Sequence, residues 1–186
     1  MQRFEIYLSV FLIISFNFFS CNSKENPTEP LGRTINPDHQ VTIYDGDETV
    51  TVVYVALART ASERRTGLMD VHELPFDTGM LFLYDDERLR SFWMANTPLS
   101  LDMLFLNRNR EIVHIRRNTT PYSKQSISSK LPAQYVLEVN AGFVWVYDIR
   151  KGMRMDWELD ELAHRRIACI ESSIQVSRTG SKYRKC

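Results

Sequence analysis

Cysteine is scarce in this 186-residue chain, which has only Cys21, Cys169 and Cys186. None of them forms a CxxC pair or a Cys/His set of zinc-ligand spacing, so a structural zinc module is excluded. An excess of one charge is also missing, since 23 Lys and Arg stand against 23 Asp and Glu. Without a basic surplus or stripe the body of the chain has no electrostatic footprint for nucleic acid, and no steering toward anionic membranes. The chain contains no HExxH, no GxSxG, no phosphate loop and no cysteine nucleophile beside a basic partner. The enzyme reading is therefore the weaker one.

Long hydrophobic runs occur in one place only. After Arg3, residues 6–19 are apolar apart from Ser9, Ser15 and Asn17, and residues 1–20 hold five of the ten Phe. A basic residue, a short apolar run and a small-residue stop at Ser20-Cys21 form the layout of an export signal. The run falls short of the about 20 apolar residues that span a bilayer. Phe18-Phe19-Ser20-Cys21 resembles the lipobox of bacterial lipoproteins, with Phe18 and Phe19 departing from the usual Leu and small residue. That resemblance implies acylation of Cys21 and a membrane partner through an N-terminal lipid anchor. The expected location is extracytoplasmic, in the periplasm or on the outer membrane of a Gram-negative cell.

Residues 1–20 are thus read as a signal peptide and residues 21–40 as a flexible tether, polar and punctuated by Pro27, Pro30 and Pro37. Residues 41–157 form the folded unit. Residues 158–186 are read as a helical extension with a basic tail of Arg178, Lys182, Arg184 and Lys185. Cys169 and Cys186 are either paired or free.

Within the folded unit, two β-rich runs flank Asp45-Gly46-Asp47, a hairpin signal, and the second is apolar on both faces, as a central strand would be. Thr60-Ala61-Ser62-Glu63 is a capping box opening a short helix that Gly67 ends. Strands are expected over residues 79–84, 88–95, 99–106, 111–117, 134–140 and 153–157. Residues 119–132 read as a long polar loop, and residues 143–149 fit either a strand or a helix. Many short strands and few helices predict a mainly β, single-domain jelly-roll-like β-sandwich or barrel with one or two short helices.

The order of motifs is recognisable. Arg64-Arg65-Thr66-Gly67-Leu68-Met69, Gly79-Met80-Leu81-Phe82, Phe92-Trp93-Met94-Ala95-Asn96-Thr97, Leu101-Asp102-Met103-Leu104-Phe105, Tyr135-Val136-Leu137-Glu138-Val139 with Ala141-Gly142, and Gly152 resemble the successive signatures of the family called domain of unknown function 192. The resemblance covers residues 50–157. It implies a mainly β, often exported single domain and no established activity. Met153 stands where the family often has Asp.

A few polar residues sit inside these apolar motifs. Asp102 shares a strand face with Ser100, Leu104 and Leu106, so its carboxylate needs a cation or hydrogen-bond donors. Arg64, Arg65 or Arg90 supply the charge in one reading, and Asn96 or Thr97 the hydrogen bonds; in the other, Asp102 only pins the Asn96-Thr97-Pro98 turn to the sheet. Glu138 alternates with Val136, and with Asp102 it would form an acid/base pair if the two converged across a bound sugar. Trp93 is suited to stacking on a flat polar ligand, or to filling the core. Met69, Met80, Met94 and Met103 read as core filler rather than as a Cu(I) site. His72 and His114 are too isolated to suggest a metal, and no cofactor is expected.

The residues Arg64, Arg65, Trp93, Asn96, Thr97, Asp102 and Glu138 therefore form the candidate ligand site. The preferred reading is a monomeric, non-catalytic binding module for a small polar or glycan ligand or an envelope partner. A hydrolase using Asp102 and Glu138 and a purely structural module are the alternatives.

Overall fold

The computed structural model describes residues 32–159. The expected signal peptide, Cys21, most of the tether, Cys169, Cys186 and the basic tail lie outside the described residues, as does the helical extension beyond residue 159.

The chain opens with a hairpin of β1 (His39–Asp45) and β2 (Glu48–Ala58), antiparallel and turning at Gly46 with φ +61°. The helix α1 (Ala61–Thr66) follows, with both halves of its capping box formed. Thr60 accepts from the Glu63 amide at 3.2 Å, and Glu63 accepts from the Thr60 amide at 2.7 Å. Next come β3 (Thr78–Arg88), the two-residue β4 (Ser91–Phe92), β5 (Leu101–Leu106) and β6 (Ile112–Arg116). β7 (Ile127–Ser128), β8 (Ala133–Asn140), the single-turn helix α2 (Phe143–Val146) and β9 (Arg154–Asp156) complete the fold.

Seven strands form one mixed sheet in the order β6-β5-β8-β3-β2-β1-β9, and β4 pairs with β7 in a separate two-stranded sheet. The fold is therefore mainly β with two short helices. The large sheet also closes on itself. At its two ends the Ile112 amide donates to the Met153 carbonyl and the Met155 amide to the Arg110 carbonyl, both at 2.9 Å, around a bridge between Glu111 and Arg154. Closure removes the exposed edges that an open sheet would present. Of the two architectures expected, the barrel describes this sheet.

The alternation of each strand divides the core in two. Val41, Ile43, Val53, Val55, Leu81, Leu104, Leu137, Val139 and Met155 fill the barrel, with Phe143 and Val144 of α2 packed against them. Met80, Phe82, Met103, Phe105 and Val136 point the other way and pack under Leu68, Val71 and Met94. The methionines at 80, 94 and 103 are buried packing residues. Gly79 lets β3 approach β8 closely, because a Cβ there would collide with the Glu138 carbonyl oxygen and with Val139.

Two local expectations are corrected. The strand expected over residues 88–95 shrinks to Ser91–Phe92, because the chain leaves the main sheet after Arg88 pairs with Ala133. Arg90 is buried there, with Nε donating to the Ala133 carbonyl at 2.9 Å and Nη2 held by Asp86. β2 is central, but it is covered on both faces only near its C-terminal end; Val52 and Tyr54 are exposed.

Candidate functional site

β2 and β3 are parallel neighbours, so the chain between them must cross one face of the sheet. That crossover carries α1 and the turn after Gly67, and it lies on the outer face. Asn140 fastens it, its Nδ2 donating to the carbonyls of Leu74 at 2.7 Å and Pro75 at 3.0 Å. The two-stranded β4/β7 flap and the loop before β7 stand opposite. Between crossover and flap lies a cavity of about 470 Å³, floored by β3, β8 and the start of β5.

The cavity collects five of the seven predicted site residues. Arg64 and Arg65 come from α1, Trp93 and Thr97 from the turn after β4, and Glu138 from β8. Trp93 is 56% exposed, so it stands at the mouth as a free aromatic face rather than as a core filler. Thr97 is buried, with its hydroxyl donating to the Ala95 carbonyl at 3.4 Å. Asn96 does not line the cavity; it is an exposed turn residue at φ +57° whose carbonyl accepts from the Asp70 amide at 2.8 Å.

Asp102 is also absent from the cavity. In register it faces Val139, whereas Met103 faces Glu138, so the two carboxylates project from opposite faces of the sheet. Asp102 is 1% exposed and accepts three backbone N–H groups, from Asn118 at 2.9 Å and from Gly142 and Val144 at 3.0 Å. Its partners are thus backbone amides, and neither the expected arginines nor the Asn96 and Thr97 side chains. It ties α2 and the turn after β6 to the end of β5. An Asp102/Glu138 acid/base pair does not exist in this geometry, and the hydrolase reading built on it falls. The structural alternative expected a saturated Asp102 together with a flat surface; the first holds and the second does not.

Glu138 is the opposite case. It is 4% exposed, lies between Met80 and Met103 in the ladder, and keeps its remaining access to the cavity. Among the described residues no donor or cation engages its carboxyl, and burial alone pushes its pKa up to about 8. At neutral pH it is a neutral acid, able to donate one hydrogen bond and accept others.

Two titratable lining residues, Tyr84 and Lys124, were not singled out from the sequence. Tyr84 extends the Met80-Phe82 face of β3, and period-two alternation would have found it. Arg64 lies 4.7 Å and Arg90 3.7 Å from its ring centroid. Burial raises its phenol pKa, against the pull of both guanidiniums. Lys124 comes from the polar loop, where no pattern marks it. Among the described residues Arg65 and Lys124 make no ion pair, whereas Arg64 donates Nη1 to the carbonyls of Leu83, at 2.9 Å, and Arg59.

A closed mixed barrel with an outer cavity roofed by a parallel crossover is the class that these elements define. The chain belongs to the DUF192 family, described as Uncharacterized ACR, which matches it over residues 41–157. It is similar to a proposed transcription regulator from Sinorhizobium meliloti 1021, at 35% identity and a TM-score of 0.63, over 68% of this chain and 98% of that one. It is also similar to a protein of unknown function from Novosphingobium aromaticivorans DSM 12444, at 31% identity and a TM-score of 0.62, over 67% of this chain and 91% of that one. No curated protein matches it.

The two acids give opposite expectations. Asp102→Ala takes the acceptor from three backbone amides, that of Val144 buried and those of Asn118 and Gly142 part-buried, and should lower unfolding free energy by about 2 to 4 kcal/mol in chemical denaturation. Glu138 has a folded pKa above its ordinary value of 4.5, so its contribution is present below that value and lost as pH rises toward about 8. Relative to Glu138→Gln, the wild-type chain should therefore lose roughly 3 kcal/mol between about pH 5 and about pH 8. Parallel pH profiles for the two chains would contradict the burial of an unpaired acid.

Proposed function

We propose that this chain is a non-catalytic binding protein for a small polar ligand, which it takes into the cavity between the crossover and the β4/β7 flap. The observation that carries this reading is Glu138: a buried carboxyl without a partner, opening into a cavity rather than into packed core. Such a group costs several kcal/mol if ionised and satisfies no donor if neutral. A ligand that hydrogen-bonds to it removes that cost. Around it half-buried Phe92 and exposed Trp93 offer apolar and stacking surface, while the mutually bonded Ser91 and Ser126 hydroxyls stand on the same lining. Polar groups converging in a concavity with apolar and aromatic walls are the usual make-up of a small-molecule site.

A thermal-shift screen over sugars, nucleotides and small organic acids and amines tests this reading. At least one class should raise Tm, and Trp93→Ala should abolish the rise while leaving the unliganded stability within about 1 kcal/mol, since the ring is largely exposed. No stabilisation by any class would end the reading.

The second part of the proposal concerns place. The lipobox-like Ser20-Cys21 supports an exported protein held at a membrane by acyl chains on Cys21. The tether expected over residues 21–40 is shorter than that, because Gly32 bridges Val71, Arg33 donates to the Met69 carbonyl, and His39 and Gln40 open β1. Cys21→Ser should abolish metabolic labelling with a fatty acid and move the protein from the membrane to the soluble fraction. Retention of label and membrane attachment in that variant would refute it.

A further inference from the structure

The cavity has two poles of opposite character. Its floor holds Glu138, whose ladder neighbours are Met80 and Met103, so no protein cation is available to it there. Its other titratable and charged lining residues, among those described, are Tyr84 from β3, Arg64 and Arg65 from α1, and Lys124 from the loop before β7. Arg65 and Lys124 are exposed and make no ion pair among the described residues, and they belong to the mouth. Arg90 reaches only the ring of Tyr84, with its charge met by Asp86. Arg64 lies 4.7 Å from the Tyr84 ring centroid, and Tyr84, Arg64 and Glu138 line the same cavity of about 470 Å³, so both poles open onto a space of small-molecule size.

We infer that the ligand is a zwitterion, a small amine-bearing carboxylate whose ammonium pairs with Glu138 while its carboxylate lies against Arg64, Arg65 and Lys124. This rests on the binding reading above and narrows it to one class of compound.

Other classes satisfy only part of the site. A simple anion answers the cations at the mouth and leaves the buried carboxyl unpartnered. A simple amine answers Glu138, but it must pass three positive charges and leaves them uncompensated. A neutral sugar meets neither pole with charge. A zwitterion entering amine first meets both, and the aromatic walls at Phe92 and Trp93 attract the ammonium as well as the apolar body. Charge balance follows directly. The neutral Glu138 gives its proton to solvent as the ammonium arrives, and the carboxylate so formed is held as an ion pair at the floor of the cavity.

Titration calorimetry at neutral pH in two buffers of different protonation enthalpy tests this. The probes are phenylalanine and aminocaproate, each compared with its deaminated acid, phenylpropionate or caproate, and with its decarboxylated amine, phenethylamine or pentylamine. At least one zwitterion should bind about tenfold tighter than either of its halves, with release of roughly one proton. Glu138→Gln should remove both the preference and the proton release. That variant removes a buried ionisable group and is expected to fold.

A deaminated acid that binds as tightly as its parent, or zwitterion binding without proton release, overturns the inference and leaves the cavity reading standing. If none of the six compounds binds, the inference falls, and the broader thermal-shift screen decides the cavity reading on its own.

Discussion

The parallel pairing of β2 with β3 is the constraint on which the rest of this structure depends. Every other pair in the large sheet is antiparallel, and antiparallel strands are joined by turns or loops at one end. A parallel pair obliges the chain to travel back along one face. Here the crossover brings α1, Leu68 and Val71 over the outer side of β3 and β8, where they bury Met80, Phe82 and Val136. The opposite side is closed by different means, since Arg88 is the last residue of β3 in the ladder and buried Arg90 turns the chain outward into the flap. The two coverings are made independently and touch where the Asp70 amide donates to the Asn96 carbonyl, and the cavity is the gap left between them.

Period-two alternation then decides which polar side chains reach that gap. Asp102 and Glu138 sit on adjacent strands, one rung apart in register, and emerge on opposite faces. Inside the barrel end, Asp102 accepts three backbone amides, one of them, from Val144, fully buried, and through those of Gly142 and Val144 it holds α2 in place. Outside, Glu138 meets Met80, Met103 and open space. The same chemical group is thus a structural anchor in one strand and an unsatisfied acid in the next.

Much of this was legible in the sequence, and the failures have physical causes. The hairpin at Gly46, the capping box at Thr60 and the strand over residues 134–140 rest on local chemistry, which needs no knowledge of the rest of the chain. The grouping of Arg64, Arg65, Trp93, Thr97 and Glu138 came from polar residues standing inside apolar motifs, a signal that burial leaves in composition. What local chemistry does not hold is inter-strand register. Within its own strand each acid could be assigned to a face, but nothing in either strand says which face of one matches which face of the other. A single-residue slip would have put Asp102 and Glu138 together. The shortened strand at residues 88–95 escaped for a related reason. Its residues suit a β conformation, and it is the tertiary lodging of Arg90, bonded to Ala133 some forty residues away, that ends the pairing.

The energetics of the two acids separate folding from function. A buried carboxylate that accepts three amides stabilises the fold it belongs to, and its removal leaves those amides bare. A buried carboxyl with no partner does the reverse. Replacing it with an apolar residue of similar size would remove a desolvation cost without breaking any bond, and substitutions of that kind in other proteins are neutral or stabilising. Stability therefore gives no reason for Glu138 to lie between two methionines on the floor of a cavity that Arg64, Arg65 and Lys124 also line. The cost falls away only when something enters the cavity that bonds to the acid, and the entering group must be small enough to pass between α1 and the flap. The feature least favourable to the empty barrel is in this way the one that most narrowly specifies what fills it.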